Sequence, residues 1–153
     1  MLAIDPGIGG ALAYDVGEGA VTVNWSGLSD MHDKLVDLVS AMLLQAPIPT
    51  AYLEQVSSSP IMGKKACFTF GHNFGQWETV LYCLNVRSIL VKPQTWQRGI
   101  PGLAGKTDKL RKRALKEHAA RLFPHIRVTG ANQDALLILN YAMEREKYDR
   151  THG

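Results

Sequence analysis

Short apolar runs separated by glycine turns open the chain. Leu2–Asp5, Gly10–Asp15 and Ala20–Trp25 read as three strands of an antiparallel meander. The period then lengthens. Leu35, Leu38, Val39, Met42 and Leu43 form one apolar stripe of a helix that Ser29 or Asp30 can cap, that runs to about Gln45, and that Pro47 and Pro49 close. Thr50–Val56 is a fourth strand, an apolar run broken by Glu54. Ala66, Phe70, Phe74, Trp77, Leu81 and Leu84 recur at a helical period and predict a helix over Lys65–Asn85. Gly71 and Gly75, four apart on it, cost helix stability but permit a second helix to come close. Its aromatic stripe reads as core or dimer seam, with a base-stacking platform as the alternative. Val86–Val91 is a fifth strand ended by Pro93, and Gln94–Gly105 reads as loop. Thr107 or Asp108 opens a basic helix that ends near Pro124, and a last helix runs from about Ala131–Asn132 to about Tyr148. Three antiparallel strands followed by alternating helix and strand predict one α/β domain over residues 1–153, a mixed five-stranded sheet with helices on both faces.

Composition narrows the class. At 153 residues, 46% hydrophobic and 20% charged, the chain can bury a substantial core. No apolar run approaches the ~20 residues of a membrane span. The first residues carry no basic segment followed by an apolar one, so no signal peptide and no membrane are expected. Cys67 and Cys83 fall on one predicted helix, too far apart to bridge and without CxxC spacing. They read as buried thiols in a reducing cytoplasm. His32, His72, His118, His125 and His152 show no metal-ligand spacing, and His72 reads as an interface or core residue.

Charge is unevenly placed. Lys92–Arg121 holds nine basic residues against Asp108 and Glu117, a local +7 within a net +3. Such a patch suits a polyanion, the alternative being a solvated helix face.

Three carboxylates stand where a carboxylate is expensive. Asp5 ends the first strand, before Pro6-Gly7-Ile8-Gly9-Gly10, where Gly7, Gly9 and Gly10 are expected to supply positive-φ freedom. Glu54 interrupts an apolar strand, and Asp134 lies in the first turn of an otherwise apolar helix. Asp5 has a bland reading as a turn cap, and Asp134 as a dipole partner. Were the first and fourth strands neighbours, all three acids would meet at one sheet edge. Converging carboxylates repel unless a divalent cation neutralises them, and hard oxygen donors select Mg²⁺ or Mn²⁺. Two such ions ~4 Å apart activate water and stabilise a leaving oxygen in phosphodiester cleavage.

Asp5-Pro6-Gly7 with the following Gly-Ala, Leu53-Glu54-Gln55-Val56 and Asp134-Ala135-Leu136-Leu137-Ile138 together resemble the RuvC-type Holliday junction resolvases. Ser-Pro-Ile-Met-Gly, Phe70-Gly71-His72-Asn73-Phe74-Gly75 and Lys92-Pro93-Gln94-Thr95-Trp96 look like the short phage-type branch. The resemblance spans essentially the whole chain. It implies a ribonuclease-H-like fold, a homodimer and a two-metal site making paired symmetric cuts in a four-way DNA junction, in a bacterial or phage-infected cell. It makes Asp5, Glu54 and Asp134 the Mg²⁺ ligands and Lys109 a catalytic cation, with Arg98 a looser match to a second. Lys64, Lys65, Lys106, Arg111, Lys112 and Arg113 then read as phosphate contacts, and no nucleotide cofactor is implied.

Two departures stand out. The family has a fourth acid three residues before the last; here it is Ala131, with Asn132 beside it. Either three acids suffice, or Ala131 stands in place of an aspartate. Ser57-Ser58-Ser59 follows Glu-Gln-Val where cellular members place a base-stacking aromatic; Phe68 and Phe70 are the available ones, with core packing the first reading for both. Rival functions are a broader fork-and-flap nuclease, a catalytically disabled junction-binding dimer, and an ATP-binding actin-like protein. The last normally needs two related halves and far more chain.

Overall fold

The computed structural model describes residues 1–15, 17, 19–26, 34–35, 37, 40–41, 44, 50–55, 57 and 62–152. Five strands form the sheet: β1 (Leu2–Asp5), β2 (Ala11–Asp15), β3 (Ala20–Asn24), β4 (Thr50–Glu54) and β5 (Arg87–Val91). Their order is β3-β2-β1-β4-β5. The meander is antiparallel, whereas β4 runs parallel to β1 and β5 parallel to β4. Among the described residues four helices are bounded: α1 (Lys64–Cys83), α2 (Pro93–Trp96), α3 (Asp108–Leu122) and α4 (Gln133–His152). Of the helix expected over 29–45, the described residues 34, 35, 37, 40, 41 and 44 are helical and Leu35 is buried. Its two candidate caps and Leu38, Val39, Met42 and Leu43 lie outside the described residues, as do Val56 and Ser58-Ser59.

Because strand side chains alternate in direction, the sheet sorts its residues into two cores. Leu2, Ile4, Leu12, Ala51 and Leu53 face α1, where they pack with Leu35, Trp25, Trp77 and Leu81. Ala3, Ala11, Ala13 and Tyr52 face the other way, against Leu115 and Ala119 of α3 and Ala135–Leu139 and Ala142 of α4. Helices thus cover both faces of the sheet. Among the described residues no helix is long and apolar enough to cross a membrane.

Several details differ from the sequence expectation. The buried stripe of α1 is Asn73, Trp77 and Leu81; Ala66 is exposed, and Phe70, Phe74 and Leu84 are half-buried. Phe68 is 78% exposed, so it is not a core residue. Cys83 is exposed and Cys67 half-buried, so neither is a buried thiol. His72 is exposed beside Gln76 and the Phe68 ring rather than in the core. The segment expected as loop after Pro93 begins with α2, a single turn with proline at its first position.

Candidate active site

The register brings two of the acids together. Ala3 pairs with Tyr52 and Ile4 with Leu53, so the next residues, Asp5 and Glu54, end adjacent parallel strands. Alternation places both on the face of Ala3 and Tyr52, the face covered by α4. Asp134 sits in the first turn of α4, which packs on β1, β2 and β4. Three elements from distant parts of the chain therefore deliver one carboxylate each to one edge of the sheet.

Their proton affinities record the meeting. Burial pushes Asp5 up to about 6, offset in part by a hydrogen bond from the Gly7 backbone, with the Asp134 charge adding to the rise. Glu54 is 9% exposed and is pushed up to about 8, first by burial, then by the charges of Asp5 and Asp134. Asp134 is raised by burial; the Gln133 side chain, Lys112 and Arg111 pull it back down. Among the described residues no ion pair within 4 Å compensates any of the three.

Local structure holds each acid. The Gly7 N–H donates to Asp5 Oδ1 at 2.9 Å, and the Gly7 carbonyl accepts from Gly10 N–H at 3.0 Å and from the Trp25 indole at 2.7 Å. None of Gly7, Gly9 and Gly10 has a positive φ, contrary to expectation. What the turn requires is space: a Cβ on Gly10 would lie 2.2 Å from the Asp5 carbonyl oxygen, while one on Gly9 would meet nothing within 4 Å. On Glu54, the indole N–H of Trp96 donates to Oε1 at 3.0 Å within the core. The adjacent Gln97 accepts a hydrogen bond from Arg111 through its side-chain oxygen. In the sequence, Trp96 stands out only as the end of Lys92-Pro93-Gln94-Thr95-Trp96, without a site role, Trp25 only as the end of the third strand, and Gln97 only as loop. A tryptophan rarely buries its N–H without an acceptor, and that was the available signal.

The donor set, three buried carboxylates, fits a hard divalent cation. Among the described residues, however, no three histidine, cysteine, aspartate or glutamate side chains are placed so as to hold a metal ion together. Donor type and donor placement thus point differently.

Asn132 does not supply the missing ligand. It is 2% exposed, its oxygen accepts from Thr129 N–H and Oγ1, and its amide nitrogen donates to Thr22 Oγ1 and the Arg127 carbonyl. It is a strut tying the start of α4 to β3. Ala131, half-buried one residue earlier, offers no ligand atom.

Of the expected cations, Arg111 and Lys112 are those whose charge acts on Asp134. Lys109 is exposed in the first turn of α3. Arg98 is exposed in the turn after α2, and Lys106 is exposed just before α3. Lys64 and Lys65 are exposed in the first turn of α1, which holds no acid. Arg113 is exposed and paired with Glu117 at 2.7 Å.

No protein-family model matches the chain, and no curated protein matches it in sequence. The fold, in contrast, matches solved structures. RuvC of T. thermophilus in complex with Holliday junction substrate superposes with a TM-score of 0.67, covering 99% of this chain and 96% of that one at 16% identity. A second Thermus thermophilus RuvC structure gives a TM-score of 0.53, covering 91% of each chain at 14% identity. The chain has the RuvC fold.

Proposed function

We propose that this protein is a divalent-metal-dependent endonuclease that resolves four-way DNA junctions by paired symmetric cuts, acting as a homodimer. The observation that carries the reading is the convergence of Asp5, Glu54 and Asp134, with no ion pair within 4 Å among the described residues, at the carboxyl ends of β1 and β4 and the start of α4. A neighbour of the same fold was solved on a Holliday junction substrate, which supports DNA as the ligand. Asp5, Glu54 and Asp134 would hold Mg²⁺ or Mn²⁺, as one or two ions. Bound there, the cation supplies a lowered pKa for water and charge neutralisation at the leaving oxygen. Arg111 and Lys112 hold positive charge at the Asp134 side of the centre, where it offsets charge developing on the phosphate; Lys109 and Arg98 reach the same strand as outer contacts. Lys64, Lys65, Lys106 and Arg113 contact phosphates further out, giving affinity without sequence choice. Phe68, exposed one turn into α1, is the aromatic available to stack on a base. Exposed Tyr82 of α1 and Leu90 of the edge strand β5 offer apolar surface for the dimer seam.

A second reading, a junction-binding dimer that does not cut, is favoured by Ala131 and by the lack, among the described residues, of three acids placed to hold one ion. Cleavage of a labelled four-way junction beside duplex, flap and fork DNA, with Mg²⁺, Mn²⁺ or EDTA, separates them. Paired nicks confined to the junction and abolished by EDTA support resolution, and cutting of forks and flaps as well indicates a broader nuclease. Tight binding without cutting, by this chain and by Ala131→Asp alike, leaves the binding protein.

A further inference from the structure

Glu54 comes from a strand end that fixes its backbone but not its carboxylate. The group that fixes the carboxylate is Trp96, 42 residues away in sequence, whose indole N–H reaches Oε1 at 3.0 Å. An indole nitrogen only donates, so this contact has one sense. The Trp96 ring is 4% exposed and packed in the core formed by Leu115, Leu136 and Val91, where it has no room to swing away. Its backbone is pinned too: α2 starts on Pro93, the Trp96 N–H bonds the Lys92 carbonyl, and Gln97 holds Arg111 of α3.

We propose that Trp96 is a positioning residue of the acid centre: by donating to Oε1 of Glu54 it holds in place a carboxylate that a cation at this centre would meet. This rests on the metal-centre reading of Asp5, Glu54 and Asp134. Releasing Glu54 would strand a buried indole N–H, so the pair constrains both partners. Outer hydrogen-bond partners of ligating carboxylates tune metal affinity in the same manner.

The three tryptophans supply an internal control. Trp96 donates to a carboxylate, Trp25 to the Gly7 carbonyl, and the buried Trp77 indole nitrogen has no partner. Each gives its own indole cross-peak in a ¹H–¹⁵N spectrum. In metal-free protein held at a pH where Glu54 is ionised, Glu54→Gln moves the Trp96 peak upfield and leaves that of Trp77 in place. Mg²⁺ shifts the Trp96 peak, and Mn²⁺ broadens it more than that of Trp77. Trp96→Phe weakens Mn²⁺ binding about 10–100-fold, and the loss appears in the metal dependence of cleavage while KM for DNA is unchanged. The proposal is overturned if the Trp96 peak ignores both Glu54→Gln and Mg²⁺, or if folded Trp96→Phe binds Mn²⁺ as the parent chain does. Should the parent chain bind no Mn²⁺ at all, the metal reading falls. The metal-free Glu54→Gln spectrum still decides whether Trp96 holds Glu54.

Discussion

A carboxylate buried at the end of a central strand is held against its preference for water, and Asp5 and Glu54 carry that cost as raised proton affinities. A pKa raised in the folded state favours the protonated form. Its stabilising contribution is therefore complete below the ordinary values of 3.8 and 4.5 and is lost as pH rises through about 6 for Asp5 and about 8 for Glu54. The metal-free protein should lose thermal stability between about pH 4 and pH 8. Glu54→Gln, which keeps an oxygen for Trp96 but never ionises, should raise Tm at pH 8 by several degrees, on the scale of ~2–4 °C per kcal/mol, and much less at pH 5. Saturating Mg²⁺ should have the same sign and the same pH dependence in the parent chain, and none in Asp5→Asn. Asn132 behaves oppositely. With its amide hydrogen-bonded on both atoms, Asn132→Ala should cost about 1–3 kcal/mol in denaturant unfolding at every pH.

The turn after β1 shows how an element serves a residue. It was readable in Asp-Pro-Gly-Ile-Gly-Gly, but the reason for its glycines was not: Gly10 clears the Asp5 carbonyl, whereas Gly9 faces open space. Gly10→Ala should therefore destabilise the protein by about 2 kcal/mol or more and abolish cleavage. Gly9→Ala should leave both within ~0.5 kcal/mol and twofold of the parent. Strands and long helices were legible because periods of two and 3.6 persist over enough residues. The four residues of α2 are too few for any period, so its turn, and with it the role of Trp96, was not legible. Asn73 hid inside the buried stripe of α1 because a polar residue does not register in an apolar count. The convergence of the three acids was legible only as a condition on strand adjacency, which the β1–β4 pairing meets.

Taken whole, the molecule carries three acids at one sheet edge and exposed cations at the start of α1, in the turn after α2 and along α3. Phosphate contacts release counterions, so binding should weaken steeply with salt, by a slope of about −0.9 per phosphate neutralised. Lys64→Ala with Lys65→Ala should flatten the slope for a four-way junction by about 2, without changing metal affinity. The direct measurement of the central claim is Mn²⁺ binding followed by electron paramagnetic resonance, on the parent chain, Asp5→Asn, Asp134→Asn and Ala131→Asp. Saturable binding should be lost in both asparagine variants and strengthened in Ala131→Asp. Binding that survives the loss of Asp5 and Asp134, or that is missing from the parent chain and from Ala131→Asp, would contradict that claim.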